Sequence, residues 1–143
     1  MKQQTIVSRI IENAELYPDK LAITSGLNSD KKDVSYAELS KTIKKASKFL
    51  INNGVSEGEA VILSATNSIA FIVGYFATHL IGAIAIPADI QLRESQLEFI
   101  SKKCNVKIAF LSNNVVIKNI SKIFSLDTLL KNDCNEFNQE ISV

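Results

Sequence analysis

Residues 69–86, IAFIVGYFATHLIGAIAI, contain no Asp, Glu, Lys or Arg and run straight into Pro87. A run of about 18 apolar residues is long enough for a membrane span. Its punctuation points instead to a buried helix followed by a buried strand. Gly82 stands where a helix of residues 68–81 would end, because a residue without Cβ enters the left-handed cap conformation at little cost. Residues 83–86 then form a short apolar strand, and Pro87, which cannot donate to a central ladder, marks its end. At about 1.5 Å per residue such a helix is too short to cross a bilayer. Gly74, Thr78 and His79 further weaken a lipid-spanning reading, and the flanks lack Lys/Arg and aromatic belts. No membrane span is expected.

The same logic divides the rest of the chain. Residues 5–16 place Ile6, Ile10, Ala14, Val7 and Ile11 at helical spacing, and Tyr17-Pro18-Asp19 stops them. Residues 21–25, LAITS, read as a strand, and residues 26–32 as exposed turn chemistry. Ser35-Tyr36-Ala37-Glu38 is a capping box, opening a helix with Leu39, Ile43, Ala46 and Leu50 on one face. Asn53-Gly54 closes it. Unbroken apolarity makes residues 60–65 and 106–111 buried strands. Residues 95–103 give a short helix with Leu97 and Ile100 inward; a weaker helix spans 115–122 and a last strand 123–126. From Asp127 polarity rises, so residues 1–126 are expected to form the domain and 127–143 a polar tail, frayed from Asn132 onward. Strands alternating with single helices predict an α/β fold with a doubly wound, mostly parallel sheet.

Composition excludes several functions. Sixteen basic and fifteen acidic residues give a net charge of +1, so nothing marks a nucleic-acid or acidic-lipid partner. Cys104 and Cys134 have no CxxC spacing and His79 is the only histidine, so no metal site is nominated and a reduced pair is expected. The N-terminus reads as an amphipathic helix without a signal peptide's apolar centre, giving a cytoplasmic expectation.

Ligands of doubly wound sheets bind beyond the carboxyl ends of the strands. The first such end, Ser64-Ala65-Thr66-Asn67-Ser68, opens a helix but matches neither a P-loop nor GxGxxG. Asp89 has no second carboxylate at a neighbouring strand end and reads as a turn residue. Ser112-Asn113-Asn114 is ordinary turn chemistry. His79 has no nominated partner for general-base work. Cys104 sits beside Lys102 and Lys103 but lacks a base or oxyanion site. No catalytic, cofactor-binding or metal-ligating residue is therefore nominated.

The order of the segments nevertheless resembles a known family. Pro18-Asp19-Lys20-Leu21-Ala22-Ile23, Val34-Ser35-Tyr36-Ala37-Glu38-Leu39 and Gly54-Val55 through Gly58-Glu59-Ala60-Val61 resemble its opening. Asn67-Ser68, Tyr75-Phe76-Ala77 and Gly82-Ala83-Ile84-Ala85-Ile86-Pro87 continue the pattern, and residues 97–110 extend it. Together these are similar to the N-terminal part of the AMP-binding, adenylate-forming enzymes: acyl-CoA synthetases, peptide-synthetase adenylation domains and luciferases. The resemblance spans about residues 5–126 and implies a parent ligase using ATP, Mg and CoA on a carboxylic acid. The family's phosphate loop, its aromatic-Thr-Glu motif, its ribose-binding Asp and its catalytic Lys match no segment here, so no family catalytic residue is carried over. The resemblance implies an N-terminal fragment that is inactive alone, with the remainder of the parent as partner and self-association through exposed apolar surface. The alternatives are a self-standing α/β interaction module and a receiver-like domain, the latter lacking an acidic cluster at the strand ends.

Overall fold

The computed structural model describes residues 4–131. Helix α1 (Ile6–Leu16) is capped by Thr5, whose Oγ1 accepts from the Ser8 amide at 3.1 Å. Its inward face is Val7 and Ile11; Ile6, expected on that face, is 71% exposed. Strand β1 (Leu21–Ser25) pairs antiparallel with β2 (Lys32–Ser35) in a two-stranded sheet of its own. The capping box forms as expected at the start of α2 (Tyr36–Asn52): Glu38 Oε2 accepts from the Ser35 amide at 2.8 Å, and Ser35 Oγ accepts from the Glu38 amide. That amide bond is the main cause holding the Glu38 carboxyl below its ordinary range. The stabilisation is present above the ordinary carboxylate pKa and is lost as pH falls through the folded value.

Four parallel strands make the main sheet, in the order β4 (Ile84–Ala88), β3 (Ala60–Ser64), β5 (Ile108–Leu111), β6 (Lys122–Ser125). Every residue of β3 and β5 is buried, because both faces are covered. Val61, Leu63, Ile108 and Phe110 pack with α1, α2 and α3 (Ile69–Leu80); Ile62, Ala109 and Leu111 pack with α4 (Glu94–Lys103). The segment 69–86 is thus a core helix and a strand. No helix among the described residues is long and apolar enough to cross a membrane.

Three helix-to-strand joints use one device. After α2, α3 and α4 a residue with positive φ (Gly54, Gly82, Asn105) reverses the chain. Its amide donates to the carbonyl three residues back, of Ile51, His79 and Lys102, and the following amide donates five back, to Leu50, Thr78 and Ser101. This is the Schellman arrangement, and the apolar residue after each turn (Val55, Ala83, Val106) is buried as its hydrophobic contact requires.

Four expectations need correction. The strand 21–25 does not join the parallel sheet; it forms a hairpin with β2, which was read as turn and cap. Pro87 does not end β4 but lies inside it, opposite Leu63. The Ile84 amide points inward to Glu59 O at 2.8 Å, so alternation turns position 87 outward, where an edge strand needs no donor. Residues 115–122 are not helical. Ile117 and Ile120 still reach the core, held by Asn119 Nδ2 donating to Ser101 Oγ at 2.6 Å and the Lys118 amide to Glu98 Oε1 at 3.3 Å. Finally, polarity from Asp127 conceals a 3₁₀ turn, Leu126–Leu130, whose Leu126 and Leu129 are buried against α3. Residues 132–143 lie outside the described residues.

Candidate functional site

The strand order sets the site. From β3 the chain passes through α3 to β4 on one side, then through α4 to β5 on the other. The carboxyl ends of β3 and β5 therefore bracket the point where the winding reverses, the place where such sheets bind ligands. The loops expected there do converge. The Ser112 amide donates to Ser64 O at 3.0 Å, Ser64 Oγ donates to Asp89 O at 3.2 Å, and Asn113 Nδ2 donates to Ile90 O at 3.4 Å. These bonds staple three strand ends together. They were not foreseen from the sequence, because only the register brings positions 64, 89 and 113 side by side.

Two of the polar side chains there have local tasks. Asp89 Oδ1 accepts from the Gln91 amide at 2.8 Å, the two-residue reach of an Asx turn. Ser68 Oγ accepts from the Phe71 amide at 3.1 Å, capping α3. Beside them a groove of about 360 Å³ runs over the ends of β5 and β6, lined by Ser112, Asn114, Val115, Phe124 and Ser125. Hydroxyls, amides and apolar walls of this kind hold a neutral or apolar group by shape and hydrogen bonding. No titratable side chain lines it to activate those hydroxyls.

His79 and Cys104 are placed elsewhere. Both stand at helix ends leading back to the amino ends of strands, across the sheet from the carboxyl edge. The His79 ring lies against Tyr75, with centroids 4.5 Å apart, on an exposed surface. Cys104 is the exposed last residue of the α4 turn; Cys134 lies outside the described residues. At the same amino edge Lys107 pairs with Glu59, and that hydrogen bond chiefly lowers the Glu59 pKa.

Among the described residues no three of His, Cys, Asp and Glu come together as metal ligands. Asp89, the single carboxylate at the carboxyl edge of β3, β4 and β5, is occupied by its own turn.

Comparison with known proteins gives the geometry its context. Residues 10–141 match the model of the family described as AMP-binding enzyme. The 2-succinylbenzoate–CoA ligase of Geobacillus sp. is 32% identical over 95 residues, which cover 66% of this chain and 18% of that protein. Bacitracin synthase 1 of Bacillus licheniformis is 31% identical over 108 residues, covering 76% of this chain and 2% of the synthase. The chain thus spans less than a fifth of either relative. In fold, it superposes on the Klebsiella oxytoca NpsA N-terminal subdomain with a TM-score of 0.79 at 19% identity, covering 94% of this chain and 33% of that one. The N-terminal domain of FACL13 from Mycobacterium tuberculosis gives a TM-score of 0.77 at 18% identity, over 90% of this chain and 35% of that one. Strand order, family model and relatives agree: the chain belongs to the AMP-binding enzyme family and has the α/β fold found in N-terminal subdomains of adenylate-forming enzymes.

Proposed function

We propose that this chain is the opening α/β portion of an ATP-dependent acyl-adenylate-forming ligase, and that it contributes architecture and not chemistry. In the parent reaction a carboxylate oxygen attacks the α-phosphorus of Mg-ATP and pyrophosphate leaves; a thiol, that of CoA in our reading, then displaces AMP from the acyl-adenylate. The observation carrying this is the family match over residues 10–141, set against a carboxyl edge where Ser64, Asp89 and Asn113 are committed to stapling and shaping the loops. The remainder of the parent is the partner, a carboxylic acid its substrate and the cytoplasm its location. Apolar side chains such as Ile84 (54% exposed) on the edge strand support self-association when that partner is missing.

Grafting tests the reading. Residues 10–126 replace the matching segment of the Geobacillus ligase, and the chimera is assayed for succinylbenzoate-dependent pyrophosphate exchange. Exchange is expected to persist at reduced rate. A folded, soluble chimera without exchange would argue that the segment is not an equivalent structural part.

A further inference from the structure

The small net charge of +1 conceals a local segregation on α2. Lys41, Lys44, Lys45 and Lys48 stand at i, i+3, i+4 and i+7, so they share one face of the helix in a stripe about 10 Å long. Helix α1 packs alongside α2, and all four lysines border the groove of about 460 Å³ between the two helices. Its floor is apolar or small: Ile11, Ala14, Ala37 and Ser40. Lys41 and Lys44 are exposed, Lys45 and Lys48 partly buried. Glu15 is the single carboxylate of the lining. Glu12 is paired with Arg9 on its own helix at 2.7 Å, and Glu38 holds the Ser35 amide. Among the described residues no carboxylate pairs with Lys41, Lys44 or Lys48.

The shape of the groove discriminates among anionic partners. A nucleic acid is disfavoured by the small net charge, and among the described residues no aromatic side chain lines the groove for a base to stack on. A bilayer needs apolar side chains protruding beside the charges, whereas Ile11 is 5% exposed and lies at the bottom of a concavity. A helix fits. Carboxylates at i, i+3 or i+4 and i+7 share one face with the spacing of the lysines, and small apolar side chains between them reach the floor. We propose that the α1–α2 groove docks an acidic amphipathic helix of a partner protein, held by Lys41, Lys44 and Lys48 over Ile11, Ala14 and Ala37. The site uses none of the residues that staple the carboxyl-edge loops. Exposed ion pairs are individually weak and screened, so the contact is salt-sensitive.

The test titrates the full chain, followed by its backbone amide resonances, with an end-blocked helical peptide of Glu, Ala and Leu whose glutamates repeat the lysine spacing. Shifts are expected at residues 11–15 and 37–48. Lys44→Glu/Lys48→Glu, its fold checked by amide dispersion, is expected to weaken binding about tenfold or more, because two charge pairs are lost and repulsion replaces them. The same peptide with glutamine for every glutamate should bind about tenfold more weakly to the unaltered chain, and this arm holds even where the double variant does not fold. Added salt should weaken the acidic peptide alone. No shifts, shifts centred on other residues, or equal binding of the glutamine peptide overturns the proposal. Shifts of residues 37–48 with vesicles of phosphatidylcholine and phosphatidylserine or with single-stranded oligonucleotide, and none with the peptide, assign the stripe to those partners and overturn it equally.

Discussion

Replacing Phe110 by alanine is expected to destabilise the chain by about 3–5 kcal/mol, read from urea unfolding. Phe110 has no exposed surface and sits mid-strand in β5, buried on all sides. Its ring stacks on Phe124 with centroids 5.7 Å apart, and Phe49 meets it edge-on at 6.2 Å. Phe49 also meets Phe124 at 5.1 Å, so the three rings tie α2 to β5 and β6. Such pairs are worth about 0.5–1.5 kcal/mol beyond their buried area. The surrounding strand residues come from a hydrogen-bonded ladder and cannot collapse into the space. Total stability of a domain this size is about 5–15 kcal/mol, so the variant should be marginal at room temperature. A loss under about 1 kcal/mol would show that the cluster is not the centre of the core.

The second large effect is expected at Gly74. A Cβ placed there would lie 2.8 Å from Leu129 Cδ1 and 3.3 Å from Leu63 Cδ2. Leu63 belongs to the central strand and is fixed; Leu129 rides on the 3₁₀ turn and must yield. Gly74→Leu gains about 1 kcal/mol of helix propensity. Overpacking nevertheless makes the net change a loss of about 1–3 kcal/mol. The damage should be local: amides of Leu126–Leu130 exchange faster with solvent while β3 and β5 keep their protection. Unchanged exchange in that turn would contradict the packing described.

These two sites also show what a sequence reveals and what it hides. The Schellman joints were legible because Gly54 and Gly82 carry a backbone requirement that few residues satisfy, and the apolar residue after each confirms it. The Ser35–Glu38 box was legible because all its atoms lie within one turn. The buried strands β3 and β5 announced themselves by unbroken apolarity. Pairing partners were not legible. LAITS looks the same in a parallel sheet as in a side hairpin, since local preference does not say which strand lies alongside. Pro87 forbids a central position but not an edge, and the sequence does not show which strand is the edge. Val115, Val116, Ile117 and Ile120 mimic a helical period, yet three of these four side chains are packed or partly packed while side chains of α4 satisfy nearby polar groups. Leu129 is hidden among polar neighbours because its burial depends on the glycine it covers, far away in sequence. The carboxyl-edge staples were hidden for the same reason.

Pyrophosphate exchange by the chain alone decides whether it holds the family's fold without its chemistry. The purified chain, its fold verified by amide dispersion, is incubated with Mg-ATP, labelled pyrophosphate and a panel of aliphatic, aromatic and amino carboxylic acids. No carboxylate-dependent label should enter ATP. Label entering ATP with any acid of the panel would mean that this chain performs adenylation itself, and the architectural role would have to be abandoned.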